Sequence, residues 1–209
     1  MEQKKGTAVI IEPAKTALLL MHWTNDIAAP GGKRAHDMPQ RLKETHTLEH
    51  TKAVLEASRR KGVLIVYVNA SHRPGYPEIP PKRAPLFRDV AASEPHIRGT
   101  WGNQVIDELK PLDTEIIVHN YSPSSFCFTD LDLILRNKGI TDLVLSGLTT
   151  NWVVETTARE ALCRGYFIYT LKDCCLGKND EMHNWAFENI LPVLGVVLDS
   201  KDYIAALQS

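Results

Sequence analysis

The sequence predicts an α/β fold, a three-layer αβα sandwich around a mainly parallel six-stranded sheet. Three observations carry this reading. Short β-branched and Leu-rich runs alternate with amphipathic segments, the rhythm of strands buried on both faces by crossover helices. Gly62, Gly139 and Gly165 each fall just past an amphipathic segment, where a left-handed C-cap favours Gly. The chain of 209 residues is long enough for one medium domain with its own core.

The strands are expected, in order, at Thr16–His22, Val63–Val68, Glu115–His119, Asp142–Ser146, Phe167–Leu171 and Gly195–Leu198. Helices are expected at about Leu42–Lys61, Thr129–Asn137, Thr150–Arg164 and Glu181–Ile190, with a short one after Asp199. Thr129-Asp130-Leu131-Asp132 has the pattern of a capping box: a hydroxyl at the cap and a carboxylate three residues on. No internal repeat or low-complexity linker divides residues 1–209, which read as a single domain.

Asn69 to about Gly102 breaks the rhythm. Pro74, Gly75, Pro77, Pro80, Pro81, Pro85 and Pro95 exclude a long helix or a central strand there. A connection of this length is either a functional lid or a proline-stiffened surface or oligomer-contact loop.

Composition narrows the function classes. Lys and Arg number 24 against 25 Asp and Glu, a formal net charge of -1. No basic block interleaved with aromatics marks a nucleic-acid or anionic-membrane surface. The N-terminal Met1-Glu2-Gln3-Lys4-Lys5-Gly6 leads into no long apolar run, and no later stretch approaches a membrane span. Cys127, Cys163, Cys174 and Cys175 show no metal-ligand spacing, and adjacent Cys174 and Cys175 cannot staple a fold. Reduced thiols in a cytoplasmic protein are the simplest reading.

Leu143 to Ala161 reads as a buried strand running through Gly147-Leu148-Thr149-Thr150 into the helix start Asn151-Trp152-Val153-Val154. This stretch resembles the signature of the isochorismatase-like cysteine hydrolases, and the resemblance extends from Thr16 to about Leu198. It implies a Rossmann-like sheet, small-molecule chemistry without a cofactor, and a homo-oligomer. In that family three strand ends carry Asp, Lys and Cys: a carboxylate takes the thiol proton, an ammonium holds the pair, and the thiolate attacks a carbonyl. Here the Asp position reads His22, and Asp26 matches a second, mainly structural Asp. The Lys position reads Asn120, or His119 if the register slips by one. The Cys position reads Val153, whose isopropyl group has no lone pair with which to attack. Arg73-Pro74-Gly75-Tyr76-Pro77-Glu78-Ile79 and Gly99-Thr100-Trp101-Gly102 are similar to segments of the branch that lacks the cysteine, so the chain reads as a divergent member.

The family's backbone features do not depend on side chains. The resemblance implies an oxyanion hole of main-chain N–H groups at Thr149 and Val153, and a cis peptide at Leu148–Thr149. His22 is then the candidate acid or base, since imidazole titrates near neutrality; a backbone-bonded structural His is the alternative. His119 and Asn120 share the neighbouring strand end and complete the candidate catalytic set.

Nicotinamidase-like members place metal ligands after the second strand. Here Asn69-Ala70-Ser71-His72 offers one His without its carboxylate, so no metal is expected and His72 reads as a solvated loop residue. Cys127 follows Ser124-Ser125-Phe126 without a neighbouring base and reads as packed rather than reactive. Trp23, Trp101, Phe126 and Trp152 fall in segments that approach the inferred pocket. With Thr149 and Val153 they form the expected substrate-binding set, a ring-lined and largely apolar site. The leading expectation is an enzyme of small, cyclic or aromatic metabolites working by acid/base and oxyanion stabilisation, as a hydrolase or a repurposed lyase or isomerase. The alternative is a non-catalytic protein that binds a small molecule or a partner.

Overall fold

A computed structural model describes residues 9–79, 82, 84–87 and 90–208. Among them six strands form one sheet: β1 (Thr16–Met21), β2 (Leu64–Ala70), β3 (Ile116–Asn120), β4 (Asp142–Leu148), β5 (Phe167–Leu176) and β6 (Val196–Leu198). Their order is β3-β2-β1-β4-β5-β6, and every pairing is parallel. The chain order reverses on either side of β1, between β2 and β4. That is the switch point at which ligands bind in open α/β sheets.

All six residues of β1 are buried, which explains its unbroken apolar reading. Alternation divides them between two cores. Leu18 and Leu20 join Val54, Leu55, Tyr67 and Tyr203 on one face, whereas Leu19 and Met21 join Val66, Leu131, Leu145 and Ala158 on the other. The first face is covered by α3 (Thr47–Lys61) and α9 (Ser200–Gln208). The second carries α5 (Leu131–Asn137), α6 (Glu155–Cys163), α7 (Asp180–Asn189) and α8 (Leu191–Leu194). Short α1 (Asn25–Ala28), α2 (Met38–Thr45) and α4 (Val90–Ser93) lie in the connections. Helices on both faces of a parallel sheet make the expected three layers.

Several boundaries differ from expectation for local reasons. The helix expected over Leu42–Lys61 is two helices, because His46 adopts a left-handed conformation (φ 54) that ends α2 and starts α3. The capping box does not form. Thr129 Oγ1 accepts from the Leu131 amide, while Asp132 turns to the Tyr166 hydroxyl and Arg136. Residues Thr150–Val154 form a π-turn rather than the first α-turn of α6. β5 runs five residues beyond Leu171, through a register shift opposite Leu145 and Gly147. Gly62 does take the left-handed C-cap (φ 74), its amide bonding back to Arg59.

The proline-rich connection packs on itself. Tyr76, Ile79 and Val90 form a small core of their own, and His72 exchanges backbone hydrogen bonds with His96 and Arg98. Pro80 and Pro81 lie outside the described residues. No helix among the described residues is long and apolar enough to cross a membrane.

Candidate active site

At the carboxyl ends of β1, β3 and β4 a cavity of about 780 Å³ opens, with His22, Asn120, Leu148, Thr149, Trp152 and Val153 in its wall. His22 follows the last residue of β1. Its amide still bonds Val68 O at 2.8 Å, but its backbone has turned left-handed (φ 62). That conformation costs an L-residue about 1–2 kcal/mol, and such outliers concentrate at functional sites. His36 (φ 45) and His96 (φ 59), also in the cavity wall, share this conformation.

Hydrogen bonding fixes the state of the His22–Asn120 pair. Asn120 Nδ2 donates to Ser122 O at 2.7 Å and Ser124 O at 3.1 Å, and carbonyls can only accept. The amide oxygen therefore faces His22, whose Nε2 lies 3.0 Å away and must carry the proton. Burial pulls the His22 pKa down to about 4, with the nearby His72 ring adding to the fall. The Asn120 bond and the Leu148 backbone offset only part of this. Part of the ring does face the cavity, but the space it faces is walled by Leu148 and Val153. At neutral pH His22 is an uncharged imidazole whose Nε2–H is committed to Asn120.

Besides exposed His36, two buried histidines enclose the same space. His72 and His96 are buried, at 5% and 8% exposure, and both line the cavity. His72 is therefore not the solvated loop residue that its sequence context implied. Its ring packs against Tyr76 and Tyr121 at 5.3 and 6.2 Å. Burial lowers the His72 pKa, and burial lowers that of His96 to about 3, with the neighbouring His22, His72 and Arg34 adding to the fall. Asp26 anchors this wall: its carboxylate accepts from the His96 amide at 2.6 Å and the Lys33 amide at 3.1 Å. No spacing pattern marks His96. The only hint is that a buried Asp26 needs donors, and one of its two arrives from 70 residues away.

Strand alternation separates the other expected residues. Val118 and Asn120 share one face of β3, so His119 points to the other and does not line the cavity. Asn120, not His119, stands beside His22. Trp23 is wholly buried in the first core, and Phe126 stacks on Tyr166 at 5.9 Å in the second. Trp101 is 53% exposed on the loop whose carbonyl accepts from Asn25 Nδ2. These three rings, expected in the substrate set, lie outside the cavity wall, whereas Thr149, Trp152 and Val153 lie within it. Phe87 and Tyr121 supply aromatic surface in their place.

The Leu148–Thr149 peptide is cis, as the resemblance implied. None of the described cavity-lining residues is a cysteine. Cys174 and Cys175 are buried, and burial raises both thiol pKa values, that of Cys175 to about 12. Among the described residues no group of three or more His, Cys, Asp or Glu is placed to hold a metal ion. The arrangement is thus a floor of neutral imidazoles, His22, His72 and His96, under an apolar and aromatic wall.

Comparison with known proteins gives the family and the fold. Residues 16–202 match the isochorismatase domain. A ureidoacrylate amidohydrolase of Caulobacter segnis is 30% identical over 210 residues, covering 93% of this chain and 87% of the relative. The N-carbamoylsarcosine amidase of Thermoplasma acidophilum superposes with a TM-score of 0.71 at 30% identity, covering 89% of this chain and 96% of that one. An isochorismatase-like hydrolase from Alkaliphilus metalliredigens gives a TM-score of 0.75 at 29% identity over 92% of this chain and 98% of that one.

Proposed function

The chain belongs to the isochorismatase family, and from that premise we propose that residues 1–209 act as one domain, an enzyme without a cysteine nucleophile. Its substrate is a small, cyclic or aromatic metabolite. The observation that carries the reading is the hydrogen-bonded His22–Asn120 pair beside Val153, residues that the sequence resemblance assigns to the family's Asp, Lys and Cys positions. The amidohydrolase and amidase relatives make hydrolysis the first reaction to test. Without a thiolate, water attacks the substrate carbonyl directly. His22 takes the water proton, main-chain N–H groups near Thr149 and Val153 hold the developing oxyanion, and the protonated His22 returns that proton to the leaving group as it departs. A positioned acid or base of this kind contributes about 10²–10⁴-fold. The protein is further proposed to be a cytoplasmic homo-oligomer.

A second reading, a non-catalytic small-molecule binder, is favoured by one observation. His22 has lost basicity, and its Nε2 is spent on Asn120.

One experiment separates the two. A panel of small aromatic and cyclic amides, ureido acids and enol ethers is screened for turnover, and the best substrate is carried into His22→Asn. The enzyme reading expects a folded variant that loses about 10²-fold or more in kcat. A pH–rate profile unchanged in height and shape by His22→Asn sinks the acid/base role, and no turnover across the panel leaves the binder.

A further inference from the structure

The inner wall of the cavity is uncharged except at one place. Arg34 lines it and is half-buried, yet its guanidinium has no hydrogen-bond or ion-pair partner among the described residues. Arg34 and buried His96 line the same cavity, and the Arg34 charge helps to lower the His96 pKa. The other charges in the wall, Asp37 and Lys178, are exposed and screened by solvent.

The wall that holds Arg34 is fixed in place. Its backbone amide bonds Asp26 O at 2.8 Å. Arg41, on the helix that follows, donates to Gly177 O at 2.7 Å, Lys178 O at 2.9 Å and Asp180 at 2.6 Å. These bonds tie the 177–180 loop to α2 and hold Lys178 on the same cavity as Arg34. An unpaired guanidinium at an apolar, aromatic pocket is a strong selector for a planar anion, which it can bind with two parallel hydrogen bonds.

We propose that Arg34 is a specificity-determining residue that binds the carboxylate of a ligand whose apolar or aromatic body lies against Trp152, Phe87 and Tyr121. Lys178 adds charge at the mouth, and the neutral imidazoles of His22, His72 and His96 place no competing cation on the inner wall. The inference rests on the proposal that this cavity is the small-molecule site, but not on turnover.

Benzoate and benzamide test it, because they match in ring and size and differ in charge. Binding of each to the intact protein is followed by ligand-observed NMR and calorimetry at neutral pH. The wild type is expected to prefer benzoate by about tenfold or more. Arg34→Gln, which breaks no bond among the described residues, is expected to erase the preference while leaving benzamide binding unchanged, and Arg34→Lys to keep part of it. Equal binding of the two by the wild type, a preference that survives Arg34→Gln, or binding of neither compound overturns the proposal. Because binding is read without catalysis, an Arg34-dependent preference in a protein with no turnover upholds this inference while the enzyme reading fails.

Discussion

Lowering the pH from about 7.5 to about 5 is expected to destabilise this protein through its buried histidines. The cavity holds His22 near a pKa of about 4 and His96 near about 3, both depressed chiefly by burial. In the unfolded chain each imidazole returns to about 6.5. Above that value both states are neutral, so the groups contribute no pH dependence. As pH falls below 6.5 the unfolded state takes up protons that the folded state refuses, and stability is lost progressively until the folded pKa values are reached. Each group costs about 1.4 kcal/mol per pH unit in that window. Between about pH 6.5 and 5 the two together remove about 4 kcal/mol, a large part of the 5–15 kcal/mol typical of a domain. Urea unfolding at several pH values measures this directly: the midpoint should fall steeply below about pH 6.5 with little change in m-value. Replacing His22 with Asn should lessen the slope by about one proton. A midpoint that stays level down to about pH 5 would refute the burial argument.

Other variants read other parts of the account. Asn120→Leu removes the acceptor for His22 Nε2 and the donor to two carbonyls, at an expected cost of about 1–3 kcal/mol in thermal or urea unfolding. Gly102→Ala places a Cβ 2.3 Å from the Asp26 carboxylate, which is already held by His96 and Lys33. It should destabilise by about 3 kcal/mol, against a fraction of that for Ala at an open surface glycine. Cys127→Ser should leave any turnover within a few-fold, since Cys127 does not line the cavity; near-complete loss in a folded variant would restore a thiol to the mechanism. His22→Asp, Asn120→Lys and Val153→Cys together should give at most feeble hydrolysis of nicotinamide-like amides. The supporting shell, including the Ser122 and Ser124 carbonyls, is shaped for an amide rather than an ammonium.

The parallel sheet was legible because strands buried on both faces leave continuous apolar runs, and β1 is the clearest instance. The ends of those strands, together with the family resemblance, locate His22, Asn120, Thr149 and Val153. Contacts set by tertiary distance were not legible. His96 and Arg34 reach the cavity from irregular segments, and His72 is buried by a backbone pairing with Ile97 and by two tyrosine rings that no periodicity reports. The aromatics show the same limit from the other side. Trp23 and Phe126 lie close to site residues in sequence, but strand and turn geometry sends their rings into the two cores, where burial of large apolar surface is most favourable. The choice between His119 and Asn120 needed only the parity of β3, which a one-residue uncertainty at a strand end leaves open.

The claim of a neutral, thiol-free site rests most directly on the imidazole of His22. Nitrogen-15 NMR of the intact protein, with His22 assigned by its loss in His22→Asn, reports both its tautomer and its titration. The account predicts the proton on Nε2 and a midpoint near about 4, as the cavity imposes. A His22 signal that titrates near about 6.5, or that carries its proton on Nδ1 at neutral pH, would contradict it.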